Sequence, residues 1–330
     1  MPIRLASFNL ESLDDGPKAD PPFAARRDLL RLQLERLKAD VLCLQEVNAQ
    51  ELSRDGHHVR ELRALDELLD GTVYAGFQRV VSRNRAGSKI GDVHNLVILS
   101  RLPILASRQI WHDLVPEPML RLVTATPTAL EPRPVSWDRP ILHAELALAN
   151  GKRLHVFNVH FRAPLAAAIA GQKLDAFAWC SIAGWAEGYY LSSIKRAGQA
   201  LEARLALDGI LTADPLALVA VAGDYNAEEH HTPVEVLRGE EENTANGALA
   251  MQVMVPAEHA VAESERYTVV HQGRRLMLDH LLVSRALLGK LNHMEIHNEA
   301  LSDELVGYAS VGHSPESYHA PLMAEFDLEG

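Results

Sequence analysis

Short apolar runs that end on polar residues recur along the chain, separated by a few stretches with helical spacing. Runs over Ile3–Asn9, Val41–Val47, Asn95–Ser100, Ile141–Ala149, Arg153–His160, Leu216–Asp224, Tyr267–His271, Met277–Val283 and Pro321–Phe326 predict β-strands, each bounded by polar or turn-forming residues. Leu30, Leu34 and Leu37 mark one face of a helix predicted over Ala25–Lys38. Ile194, Ala197, Leu201 and Leu205 mark the face of a second, over Ser192–Leu211. Many strands with few intervening helices disfavour a regular βαβ barrel and suit two packed sheets with helices outside. No repeat, low-complexity tract or linker divides the 330 residues, so a single domain is expected. The stretch 161–190 reads as a helical insertion between a strand and the next helix. It carries Phe177, Trp179, Trp185, Tyr189 and Tyr190, which would either stack on a ligand or be buried against the core or a second subunit. Burial is the plainer expectation.

The polar residues at the strand ends carry the chemistry. Asn9 ends one run and Glu11 follows it; Glu46 and His160 close two others. Asp224 and Asn226 follow Leu-Val-Ala-Val-Ala-Gly, Asp279 interrupts an apolar stretch, and His319 precedes the last. Gathered at one sheet edge, Glu11, Glu46, Asp224 and Asp279 would repel one another by roughly 4 kcal/mol per pair at 4 Å. Such a cluster takes up protons or binds a cation. Carboxylate and amide oxygens suit Mg²⁺ or Mn²⁺ rather than Zn²⁺. Asn and His beside them supply donors for a phosphate oxygen and a proton carrier, the inventory for in-line attack of water on phosphorus.

The motifs Phe8-Asn9-Leu10-Glu11, Leu44-Gln45-Glu46, Asn158-Val159-His160, Gly223-Asp224-Tyr225-Asn226, Leu278-Asp279-His280 and Ser317-Tyr318-His319 occur, in this order, over nearly the whole chain. In that order they resemble the endonuclease/exonuclease/phosphatase superfamily. The resemblance implies a four-layered α/β sandwich, two packed and mainly antiparallel sheets flanked by helices, with the site at one edge. It implies a metal-dependent phosphoesterase in which Glu46 is the principal metal ligand with Glu11 beside it. Asp224, Asn226 and His319 fall at further metal-proximal positions. By the same resemblance Asp224 orients or deprotonates the attacking water, and Asn9 and Asn226 hold the phosphate and the Asp224 carboxylate. His160 contacts phosphate or assists the leaving group, and His319 stabilises the phosphorane with Asp279 as its carboxylate partner. One position departs from the pattern: family members usually carry Asp before the last His, and Tyr318 stands there, which implies weaker binding of a second cation with activity retained. Further candidates for substrate contact are Arg139, His271, and Asn95 in the pair His94-Asn95.

Composition changes this picture in one respect. The net charge of −12 argues against a protein that holds nucleic acid through its whole-surface field. A local basic stretch with Arg83, Arg85 and Lys89 leaves a polyanion in play. A phosphodiester in DNA or RNA is therefore the first candidate substrate, a sugar, inositol or lipid phosphate the alternative, and a non-catalytic binding protein on the same fold the third reading. No run is long enough for a membrane span, and the opening residues read as a strand rather than a leader. Two cysteines provide no disulfide framework, and a cytoplasmic protein is expected.

Overall fold

The computed structural model describes residues 2–16, 19, 21–54, 57–305 and 314–328. Twelve strands build two six-stranded sheets: β1 Ile3–Leu13, β2 Val41–Val47, β3 Gln78–Val81, β4 Asn95–Ser100, β5 Ile104–Ile110, β6 Ile141–Ala147, β7 Arg153–His160, β8 Leu218–Asp224, β9 Met254–Pro256, β10 Asp279–Ser284, β11 Leu291–Ile296 and β12 Leu322–Phe326. The orders are β11-β12-β1-β2-β4-β3 and β9-β10-β8-β7-β6-β5. Only the central pairs, β1 with β2 and β7 with β8, run parallel; the remaining neighbours are antiparallel.

Strand side chains alternate between faces, and the alternation sorts the core into three layers. Leu5, Val41, Cys43 and Ile98 meet Ala144, Val156, Ala220 and Leu281 between the sheets. Ala6, Leu42, Leu44 and Val97 turn outward onto helices α1 (Phe23–Leu37) and α2 (Arg63–Leu69) through Leu30, Leu34 and Leu65. On the far side Val219, Val221 and Leu282 pack under α3 (Ile182–Ala213) and α4 (Thr232–Arg238) through Ala203, Leu207 and Val234. These are the four layers of the expected sandwich. Beneath one edge the sheets are latched by a polar group: Asn158 on β7 donates to Leu44 O (2.9 Å) and Val97 O (3.0 Å) and accepts from Gln45 Nε2 (2.7 Å).

Three expectations need correction. The second helix begins ten residues early, at Ile182, where Ser181 Oγ caps it by accepting from Gly184 N. Its buried face is also the other one: Gln199, Ala200, Glu202, Ala203, Ala206 and Leu207 face the sheet, while Leu201 and Leu205 are 42% and 40% exposed. A helix apolar on both sides gives periodicity no way to choose, and Gly198 decides the docking, because a Cβ there would come within 2.1 Å of the Trp137 ring. Residues 161–181 hold no helix, and the five aromatics Phe177, Trp179, Trp185, Tyr189 and Tyr190 are not buried: Phe177 is 90% and Tyr190 56% exposed. Finally, the run at Tyr267–His271 is a short strand, Val269–His271, paired with Arg274–Leu276 outside both sheets. Both cysteines are free, Cys43 buried and Cys180 exposed.

Candidate active site

The two parallel pairs end, and their antiparallel neighbours begin, at the same edge. Glu46, His160 and Asp224 therefore stand at or beside strand C-termini, Asn9 stands where the regular pairing of β1 with β2 breaks, Asp279 opens β10, and His319 lies just before β12. In register, Asp224 is opposite His160 on one side and Asp279 on the other. The pairing of β1 slips after Asn9 and that of β2 after Leu44, and these bulges turn Glu46 into the cleft. Glu11, Ser12, Glu46, His94 and Asn226 all line it, and all have φ between 48° and 58°. Left-handed backbone is unfavourable for such residues, and its concentration here marks a built site. Gly223 (φ 145°) is needed where β8 reaches the edge, since a Cβ would sit 2.0 Å from Val159 O.

Asp224 is clamped from two directions. Asn226 N donates to Oδ1 (2.7 Å), while Asn226 Nδ2 and Asn9 Nδ2 both donate to Oδ2 at 3.0 Å. Asn9 also reaches Glu46 Oε1 (3.4 Å), and its Oδ1 accepts from Glu11 N (2.9 Å). Glu46 Oε2 accepts from Ser12 N (2.9 Å) and Ser12 Oγ (3.1 Å). His160 Nε2 lies 3.4 Å from Asp224 Oδ2 and 3.6 Å from Glu46 Oε1, and His94 Nδ1 lies 3.4 Å from Glu46 Oε2. His319 Nδ1 bonds Asp279 Oδ2 at 2.8 Å; its backbone is held by Ser317 Oγ, which donates in turn to Asn9 O. These groups surround a cleft of about 350 Å³.

The electrostatics divide the groups by role. Burial and the adjacent Asp279 push the Asp224 carboxyl up to about 7. Burial opposes charge on His319, but the charge and hydrogen bond of Asp279 hold it well above the usual histidine range. His160 goes the other way: burial, reinforced by Arg139, keeps it well below that range and neutral. Burial also opposes charge on Glu46, yet the neighbouring imidazoles, His94 first, hold it well below the usual carboxylate range.

Of the residues singled out from sequence, Glu11, Glu46, Arg139, His160, Asp224, Asn226 and His319 line the cleft, with Asn9 and Asp279 bonded to its walls. Asn95 and His271 do not. The Asn95 amide is spent on Val47 O (2.9 Å) and Gly91 O (3.0 Å), so it shapes the loop that carries His94. His271 stands one residue behind the rim, its Nδ1 on Glu304 Oε2 (3.0 Å), and it is Glu304 that lines the cleft. Tyr318 is buried and lines the cleft, its hydroxyl accepting from Ser314 N and its backbone N–H donating to Glu11 Oε2 (2.7 Å). Sequence reasoning passed over Arg162 and Ser12, and of the pair His94-Asn95 before a buried strand it took Asn95 as the contact, whereas His94 is the one that lines the cleft.

The residues present fit a divalent cation. Ligand atoms of Glu46, His94 and His160 lie within 4.8 Å of one another, as do those of Asp224, Asp279 and His319. A carboxyl raised to about 7 by burial and by a like charge beside it is one whose charged form a cation would favour.

Two mixed sheets between helices, with carboxylates, amides and imidazoles gathered at their common edge, define a metal-dependent phosphoesterase. Residues 6–303 match the Endonuclease/Exonuclease/phosphatase family, and the chain belongs to that family. Its members are metal-dependent phosphoesterase hydrolases that generally use divalent metals. Similar solved structures include a family protein from Bacteroides thetaiotaomicron (15% identity over 100% of this chain and 97% of that one, TM-score 0.59). Another is the mannosyl-6-phosphatase of Bacteroides thetaiotaomicron VPI-5482 (14%, 99% and 100%, 0.59). A third is D. rerio TDP2 complexed with single strand DNA product (18%, 99% and 99%, 0.53). At these identities the likeness is one of fold. A search of curated proteins found no match.

Proposed function

We propose that the protein hydrolyses a small organic phosphoester, with Mn²⁺ or Mg²⁺ as its metal. The observation that carries the size of the substrate is the distribution of cations. Among the described residues the cleft has two arginines, Arg139 and Arg162, and Arg162 is already paired with Asp138 (2.9 Å). The basic stretch does not extend the cleft, and its Arg85 is held by Glu117 (2.6 Å). A nucleic acid gains affinity from several phosphates beyond the scissile one, and a chain of charge −12 offers little for them.

Glu46 and Glu11 would hold the cation, with His94 and His160 beside Glu46. Their nitrogens favour Mn²⁺ over Mg²⁺. Bound there, a divalent ion supplies positive charge for the phosphate oxygens. Asp224, held by three N–H groups and poised near neutrality, orients water and takes its proton. His319, kept cationic by Asp279, neutralises charge developing on phosphorus-bound oxygen. Arg139 and neutral His160, which lie in the cleft with these carboxylates, position the phosphate.

A second reading, cleavage in single-stranded nucleic acid, is favoured by the exposed Phe177, Trp185 and Tyr189 beyond the cleft residue Leu165. The DNA product held by D. rerio TDP2 belongs with it. Rates on p-nitrophenyl phosphate, bis-p-nitrophenyl phosphate and single-stranded DNA, each at low and high salt, separate the two. A small-phosphoester enzyme turns over the first pair with weak salt dependence. DNA cleavage that dominates and collapses with salt would replace the first reading by the second.

A further inference from the structure

His280 and Glu258 are buried, titratable and unused by the chemistry above. Side chains alternate along β10, so Asp279 faces the cleft while His280 turns with Leu282 into the outer layer. There Glu258, from the single turn Ala257–Ala260, meets His280 Nδ1 at 2.6 Å. The second Glu258 oxygen accepts from Leu281 N (3.3 Å). Tyr225 packs edge-on against the ring, centroids 5.1 Å apart, and Nε2 lies 2.8 Å from Ala227 O. A carbonyl oxygen only accepts, so Nε2 is the donor. Replacing a buried pair of this kind by apolar residues of similar volume is commonly neutral for stability, so packing alone does not account for it.

Ala227 O belongs to the turn that holds Asp224. One residue earlier, Asn226 has left-handed backbone (φ 49°), an unfavourable conformation for a residue with a side chain. From it, the Asn226 N–H and Nδ2 supply two of the three donors on the Asp224 carboxylate. The two carbonyls that leave this turn are both tied to the outer layer, Asn226 O by Arg196 (3.2 Å) and Ala227 O by His280. We infer that His280, braced by Glu258, is a positioning residue whose bond to Ala227 O holds Asn226 in its left-handed turn and thereby keeps the Asp224 carboxylate oriented toward the attacking water. This role rests on Asp224 acting on that water, as proposed above. His280 itself stands behind the cleft wall and touches no reacting atom.

Two substitutions separate the two ring nitrogens. Gln places its amide nitrogen near the position of Nε2, and Asn near that of Nδ1. His280→Gln therefore keeps a donor for Ala227 O, whereas His280→Asn keeps the Glu258 contact and gives up Ala227 O. On bis-p-nitrophenyl phosphate at saturating metal, His280→Asn is expected to lower kcat about ten- to a hundredfold with KM unchanged. His280→Gln is expected to keep a kcat near the parent's. In an Asn226→Ala background His280→Asn should cost little more, because it acts through Asn226. Hydrogen exchange at the Asn226 amide, read by NMR, should quicken in His280→Asn and not in His280→Gln. A purely structural role would lower the unfolding midpoint in both variants and leave kcat per folded molecule unchanged; that result overturns the assignment, as does full additivity with Asn226→Ala. If His280→Asn does not fold, Glu258→Met removes the brace and leaves the ring: a lowered kcat supports the role, a parental kcat overturns it. Asp224→Ala, measured alongside, tells the two failures apart. Turnover retained in Asp224→Ala removes both readings, whereas turnover lost there but kept in His280→Asn removes only the role of His280.

Discussion

Asp224 shows how a carboxylate acquires a function from its neighbours. Alone after an apolar strand it would be a turn residue. Here three N–H donors fix both its oxygens, while burial and Asp279 raise its carboxyl to about 7. Asp224→Ala is expected to lower kcat by about a thousandfold or more with the fold intact; a loss of less than tenfold would remove it from the chemistry. His143 shows the opposite case, a titratable group with no catalytic use. It is buried against Phe157, ring centroids 4.2 Å apart, and burial pushes it from 6.5 down to about 3. Because its folded value is lower, the unfolded chain binds the proton first as pH falls, so stability is lost below about 6.5. By pH 5 this group alone costs about 2 kcal/mol. Urea unfolding of His143→Leu at pH 7 and pH 5 should show that part of the acid loss removed; an equal loss in parent and variant would show that the histidine is not held neutral.

At the scale of elements, the site depends on two sheets staying in register. Asn158 spans them, and Asn158→Leu would remove the amide that bonds Leu44 O and Val97 O and leave Gln45 Nε2 only its longer bonds to Ser7 Oγ and Cys43 O. A loss of about 3 kcal/mol or more in unfolding free energy is expected, read from denaturant midpoints at constant slope. Docking of α3 depends on Gly198, where Gly198→Ala would collide with Trp137. About 1–3 kcal/mol is the expected cost, and an unaffected midpoint would show that the helix rests elsewhere. These elements also show what a sequence displays and what it hides. The polar run ends at Asn9, Glu46, His160 and Asp224 were legible, because a polar residue closing a buried apolar run must meet water, a partner or a ligand. The bulges in β1 and β2 and the left-handed backbone at Glu46 and His94 were not. They arise from pairing between strands remote in sequence, so of the pair His94-Asn95 the member that faces away from the cleft was taken as the contact. The face of α3 was misread because apolar residues line both sides, and only contact with Trp137 selects one.

For the whole molecule, the decisive quantity is charge and where it lies. Four layers bury the apolar faces and leave one edge at which acidic groups outnumber cations, in a chain of charge −12. That imbalance is relieved by protons or by a cation, and metal dependence is the central claim about function. The most direct test is hydrolysis of bis-p-nitrophenyl phosphate and p-nitrophenyl phosphate with Mn²⁺, with Mg²⁺ and with EDTA, for the parent and for Asp224→Ala. Turnover that requires the metal, is faster with Mn²⁺, is abolished by EDTA and is lost in the variant is the predicted result. Hydrolysis that survives EDTA, or that Asp224→Ala retains in full, would contradict the account.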